Sequence, residues 1–237
     1  TAFVYAIASL VGFLRGLDVA TNGIEAQCAV IGNTGFLGVP MLTLLLGPEA
    51  IGPVLLALTV DMIIFSSLIV ILITGSREGQ LRLATLKIVG LGLLKNPMIV
   101  AITLGFLWSG FGIPIPVPLN EFLAILGGAA TPGALFAIGA SLASKSAERI
   151  EIAGWLTFCK LVLHPLFVAF GALFLFGVDP YKAGVIIATA SLPVAGNVYM
   201  LAQHYGVAPQ RVSAAILVST TVSIVTVSLV VGWVSAL

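Results

Sequence analysis

Three ionisable side chains stand where the surrounding sequence offers them nothing polar. Asp61 lies inside the apolar run 50–74, and Lys160 and His164 lie inside the run 152–177. Lys160 and His164 are four residues apart, which puts them on one helix face. Pro165 follows directly and would free a backbone carbonyl beside them. A charge at the centre of a membrane costs about 2.5–3.5 kcal/mol on insertion scales, so such residues are read first as parts of a functional site. The chemistry open to them is proton uptake by Asp61 or His164, or positive charge offered by Lys160 to an anion. The structural alternative is an Asp61–Lys160 pair, or a Lys160 whose stem reaches back toward the membrane surface.

Two further stretches spoil runs that would otherwise be helical. They are "GNTGFLGVP" from Gly32 to Pro40 and "LPVAGN" from Leu192 to Asn197. A helix broken there leaves N–H and C=O groups without partners. In hydrocarbon each such group costs several kcal/mol, so the break is tolerable only where the groups face protein, water or a ligand. Two half-helix N-termini aimed at one point favour an anion. Asn33 and Asn197 add side-chain donors and acceptors there. The plainer alternative is that Pro40 and Pro193 kink packed helices, with glycines allowing close approach.

The elements that must carry these residues follow from composition. Of 237 residues, 59% are hydrophobic and 8% are charged. A soluble domain carries roughly 25% charged residues, so the solvent of this chain is lipid. About 20 apolar residues cross a bilayer as a helix. The sequence predicts eight such spans, over 1–17, 25–46, 50–74, 97–113, 119–143, 152–177, 182–203 and 212–235. They form an all-α membrane protein. The first span is already apolar at Thr1, without a basic leader, so truncation at the N-terminus is expected. Glu25 and Glu121 begin spans and are expected at the interface. Arg15, Arg77, Arg82, Lys87, Lys95, Lys145, Arg149 and Arg211 fall on one side and Lys182 on the other. The first side is therefore expected to be cytoplasmic. The organisation predicted is an N-terminal repeat at 1–75, a cytoplasmic linker at 76–95 that can lie as an amphipathic helix, and a C-terminal repeat at 96–237.

Several classes are disfavoured. There is no HExxH, P-loop or GxSxG signature, so an enzyme is not expected. Cys28 and Cys159 are isolated, giving neither a disulfide framework nor metal spacing. No metal or cofactor is expected. A net charge of +1 without a basic cluster gives no footprint for nucleic acid.

A weak internal repeat adds direction. With Gly47 set on Gly206, "NTGFLGVPMLTLLLG" lies over "LPVAGNVYMLAQHYG". Each is an apolar run interrupted by Pro, Gly and Asn and closed by Gly. The two run in opposite directions through the membrane. Inverted repeats with matching interrupted helices point to a secondary transporter with a midplane site.

"GNTGFLGVPM" at 32–41 resembles the fourth transmembrane segment of the auxin efflux carrier family, which includes plant PIN proteins and bacterial malate or malonate permeases. "KNPMIVAITLGFL" at 95–107, "TPGALFAIGASLA" at 131–143 and "SLPVAGNVYMLAQHYG" at 191–206 are similar to other family segments. The resemblance runs along nearly the whole chain. It implies two inverted five-helix halves in which one helix of each half is broken. This chain then carries three plus five of those ten helices and lacks the first two. The resemblance implies a crossover at Pro40 and Pro193. It implies a substrate site lined by Asn33 and Asn197, with backbone near Gly35, Gly38 and Gly196. The implied substrate is a small organic anion, a mono- or dicarboxylate, driven by a proton, a sodium ion or the membrane potential. A bacterial inner membrane and a homodimer are the implied setting. A passive channel, or a non-transporting fragment that needs a partner chain, are the alternatives. A channel would pass currents without saturation, and a fragment would bind nothing alone.

Overall fold

The computed structural model describes residues 1–78, 87, 90, 91, 94, 97–143 and 150–236. Much of the expected 76–95 linker, with Arg82 and Lys95, lies outside these, as do Lys145 and Arg149. The described residues are almost wholly helical, with no strand among them. Helices α1 (Ala2–Leu14) and α2 (Val19–Val30) come first. The Asp18 carboxylate accepts from Thr21 N–H at 3.0 Å and fixes where α2 begins. Helix α2 stops at Ile31. The chain resumes as a wide π turn, Thr34–Gly38, followed by α3 (Val39–Leu46). Pro40 has no N–H to give to the preceding turn, which agrees with the widening just before it. Gly47, at φ 96°, closes α3 in a conformation that favours glycine.

A 3₁₀ turn at Pro48–Ala50 leads into α4 (Ile51–Val60), a π turn at Asp61–Phe65 and α5 (Ser66–Glu78). Helices α6 (Pro97–Gly110) and α7 (Val117–Ala143) follow. Next comes one long rod: α8 (Ile150–Phe158), a π turn at Cys159–Leu163, α9 (His164–Phe170) and a π turn at Gly171–Leu175. Helix α10 (Pro180–Ala190) is capped by Asp179, which accepts from Lys182 N–H at 3.1 Å. After a break come α11 (Gly196–Tyr205), Gly206 at φ 65°, and α12 (Pro209–Val234).

Among the described residues, three continuous helical stretches are long and apolar enough to cross a membrane: Pro48–Arg77, Ile150–Leu175 and Pro209–Val234. Shorter apolar helices run over Ala2–Leu14, Thr34–Leu46, Val100–Gly110 and Val117–Ala129. The predicted runs 25–46 and 182–203 are each two half-helices. The outward side chains include Phe13, Leu44, Phe111, Ile125, Phe174 and Leu229. Such a surface needs lipid around it, and the chain is an integral membrane protein.

One expectation fails here. Helix α2 begins at Val19, not at residue 25, so Glu25 is well inside it and only 2% exposed. Its Oε2 accepts from Arg15 Nη1 at 2.6 Å and its Oε1 from Arg211 Nη1 at 2.5 Å. A carboxylate shared by two guanidiniums is tolerated inside because charge and hydrogen bonds are both compensated. The clasp ties α2 to the start of α12. Glu121 is exposed, and Cys28 and Cys159 are buried free thiols.

Candidate functional site: the crossing of two broken helices

The two breaks meet. Asn33 N–H donates to Pro193 O at 2.8 Å, and Ala195 N–H donates to Ile31 O at 3.1 Å. The result is a two-bond antiparallel bridge between Gly32 and Val194, among described residues that are otherwise almost wholly helical. Backbone groups that a broken helix would leave bare thus satisfy one another. Val194 N–H is taken by Ser219 Oγ of α12 at 3.1 Å. Gly32 is closely packed: a Cβ there would meet both the Lys160 side chain and Leu192 at 3.4 Å, in van der Waals contact.

Four helix ends converge on the bridge. The starts of the Thr34 turn and of α11 lie on one side of it in sequence, the ends of α2 and α10 on the other. Near the starts, Asn33 and Thr34 are buried, Asn197 is half-buried, Gly35 is half-buried and Gly196 is exposed. The Thr34 hydroxyl and the Asn197 side-chain oxygen are buried without a hydrogen-bond partner among the described residues. The first N–H groups of a helix also lack intrahelical partners. Gly38 serves packing, since a Cβ there would lie 2.6 Å from Leu192 Cδ1. Pro193 lies in the bridge itself. Pro40 does not: it sits in the first turn of α3, beyond the π turn. The expected crossover at both prolines is therefore a crossover of Pro193 with Gly32 and Asn33.

The ends of α2 and α10 gather the ionisable residues. Lys160 is 0% exposed. Its Nζ donates to Ala190 O at 2.5 Å, the last carbonyl of α10, and lies 3.2 Å from His164 Nδ1. A cation there meets the negative end of a helix dipole. An ammonium has only donors, so Nδ1 of His164 is the acceptor and its Nε2 carries the hydrogen. That Nε2 lies 3.0 Å from Thr1 Oγ1. Asp61 and His164 line one cavity of about 250 Å³ together with Thr1, Gly32, Ala57 and Thr189. The Asp61 carboxylate makes no hydrogen bond or ion pair among the described residues. The ion pairs among the described residues are the two on Glu25, elsewhere in the molecule, so the alternative of a closed Asp61–Lys160 pair is absent from these contacts. Both Asp61 and Lys160 sit in π turns, which widen a helix and often mark functional positions. In the first of them, Phe65 O takes Gln27 Nε2–H at 2.6 Å.

The structure thus brings Asn33, Pro193 and Gly32 into contact and gathers Asp61, Lys160 and His164 by the same crossing. It places Gly35, Gly38, Gly196 and Asn197 on the two resuming half-helices and Pro40 further along. Gly32, Thr34, Thr189 and Ser219 are site residues that sequence reasoning did not single out. A serine in an apolar run ordinarily serves helix–helix hydrogen bonding, and nothing local distinguishes one that serves a neighbour's break.

Over residues 1–231 the sequence matches the model of the family described as membrane transport protein. It is also 33% identical over 236 residues to a protein of Rhizobium meliloti (strain 1021) that bears the name "Putative malonate transporter"; the match covers 96% of this chain and 72% of that protein.

Proposed function

The chain belongs to the membrane transport protein family, the auxin efflux carriers, and from that premise we propose that it carries small organic anions, mono- or dicarboxylates, across the membrane as a secondary transporter. The relative from Rhizobium meliloti supports a dicarboxylate such as malonate as the first substrate to test. The observation that carries the reading is the crossing. Two half-helices resume from one antiparallel bridge and leave it in opposite directions, and the Thr34 hydroxyl and Asn197 oxygen at their starts are buried and unpartnered among the described residues. Free N–H groups, positive dipole ends and amide side chains suit a carboxylate. Asn33, Asn197 and the backbone at Gly35 and Gly196 hold it.

The frame of this reading is a pair of inverted repeats with eight spans, α1–α5 in one half and α6–α12 in the other. It is supported by shared devices: an aspartate cap before each first half-helix and a positive-φ glycine after each second one. The site opens alternately to either side of a cell membrane, the inner one in a bacterium. Both nitrogens of His164 are engaged, so Asp61 is the group free to carry a coupling proton, and Lys160 is a fixed charge that holds the end of α10.

The test is malonate uptake into proteoliposomes. Asn33→Ala and Asn197→Ala are each expected to cut uptake by roughly tenfold or more, the worth of one or two hydrogen bonds to a charged group, while the protein still purifies folded. Wild-type uptake in both variants would reject this site.

A further inference from the structure

Gln27 is a polar side chain in a place that packing alone does not explain. It lies in α2, is only 1% exposed, and its Nε2–H donates to Phe65 O at 2.6 Å. The acceptor is a carbonyl, so the amide nitrogen faces it and Oε1 is left over. That Oε1 is buried with no partner among the described residues. An apolar side chain of the same shape would serve packing better than a half-satisfied buried amide. The reason for a glutamine is therefore what its one bond holds.

That bond joins the two parts of the site. On the backbone, Gln27 O accepts from Ile31 N–H at 2.8 Å and so ends α2. Ile31 O is in turn an acceptor in the bridge, from Ala195 N–H. Through its side chain, Gln27 grips Phe65, the last residue of the π turn that begins with Asp61. Gln27 stands one turn before Ile31, so a shift of the end of α2 at the bridge is passed on to Phe65.

The π turn has a close alternative. In it Ser66 N–H donates to Asp61 O, five residues back. An α-helical turn would send the same N–H to Met62 O. One residue more or less in a turn rotates one side of a helix by about 100° relative to the other. Ile69 and Ile73 anchor α5 in the core, so the rotation would fall on α4 and Asp61. Asp61 now lines the cavity together with Gly32 of the bridge, and such a rotation would turn it away. Coupling between two sites requires an element with two arrangements that both sites bias, and this turn is one.

We propose that Gln27 is a positioning residue: it holds the π turn that aims Asp61 into the cavity, and so ties the state of the crossing to proton exchange at Asp61. The proposal rests on the reading of Asp61 as the coupling group, but not on the amides of Asn33 and Asn197. The charged or titratable groups that face Asp61 are Lys160 and His164 of the α8–α9 rod and the amino group of Thr1; α2, α4 and α10 bring no other to the cavity. All of these are the same in wild type and in Gln27→Met, so a difference between the two reports on position.

Gln27→Met keeps the volume, removes the donor and removes the unpartnered oxygen, so its melting midpoint should equal or exceed that of wild type. Two readouts follow that a packing role would not move. In the purified full chain, Asp61→Cys is labelled with a small methanethiosulfonate and followed by mass spectrometry; Cys28 and Cys159 are buried. Adding Gln27→Met should slow that labelling roughly tenfold or more, as the thiol leaves the cavity. In proteoliposomes with an indicator dye, wild type is expected to take up protons with malonate. Gln27→Met should take up at most about half as many per malonate, with KM near that of wild type because Asn33 and Asn197 are untouched. Asp61→Asn should take up none. Unchanged labelling, or proton uptake in Gln27→Met equal to that of wild type, overturns the proposal. Proton uptake that is absent from wild type, or that persists in Asp61→Asn, overturns the reading of Asp61 and the proposal with it.

Discussion

In α1–α5 the chain caps its broken helix with Asp18 and closes it at Gly47; in α8–α12 it caps with Asp179 and closes at Gly206. The carbonyl at the end of each second half-helix is held from across the molecule. Tyr181 Oη donates to Leu46 O at 2.9 Å, and the Arg77 guanidinium donates to Tyr205 O. At the periphery, then, the two halves solve the same problem with equivalent or interchangeable groups. At the crossing they diverge. One half contributes Asp61 and Gly32, whose N–H has no acceptor among the described residues; the other contributes Lys160, His164 and Ser219. Capping and closing a helix is the same task wherever it occurs, so similar residues recur. A transported ion or molecule has to be met by unlike groups, so the divergence concentrates where function lies.

Breaking that divergence at Lys160 should have the largest effect. Lys160→Met keeps the stem's volume and removes the ammonium. Ala190 O and His164 Nδ1 lose their donor, at about 1–3 kcal/mol for an unpaired buried acceptor. The desolvation of a buried charge is relieved at the same time, so the protein should still fold, with a lower melting temperature. Uptake should fall by roughly a hundredfold, because the variant removes a cation that acts on Asp61 within the membrane and the fixed charge at the end of α10. Near-normal uptake by Lys160→Met vesicles would make this lysine a packing element only.

Much of this was legible in the sequence, for identifiable reasons. Apolar runs, charge scarcity and the Pro, Gly and Asn interruptions are local signals, and they located both breaks. Asp61, Lys160 and His164 stood out because a charge in an apolar run has no ordinary explanation. The registration of the two breaks was not legible. Setting Gly47 on Gly206 pairs Asn33 with Leu192, whereas the bridge opposes Gly32 to Val194. Helix α3 with its π turn runs longer than α11, so an alignment fixed at the closing glycines slips by the time it reaches the crossing. Glu25 was misplaced for a related reason. Arg15, one of its two partners, is ten residues away, but the other, Arg211, is 186 residues away, and no local pattern announces such a partner.

Ser219→Ala sharpens the same comparison at a smaller scale. It leaves Val194 N–H without its acceptor, as Gly32 N–H is without one in the other half. The expected loss is about 1–3 kcal/mol of stability, read as a lower midpoint in thermal melting of the detergent-solubilised protein. Equal midpoints for wild type and Ser219→Ala would mean that the Val194 bond does not hold the crossing together.

The smallest expected effects lie at the caps, where the halves are most alike. Asp18→Ala and Asp179→Ala should each cost about 1 kcal/mol, the usual worth of an N-cap. The hydrogen bonds from Thr21 hold the Asp18 carboxyl below the ordinary carboxylate range. The ionised form is therefore the one the folded protein favours. Its contribution is fully present above the unfolded pKa of about 3.9 and disappears as pH falls through the lower folded value. The melting difference between wild type and Asp18→Ala should accordingly stay constant from about pH 8 to about pH 5 and close in stronger acid. A gap that persists unchanged below about pH 3 would show that Asp18 acts by its shape and not by its charge. The halves would then differ at the periphery as well as at the crossing.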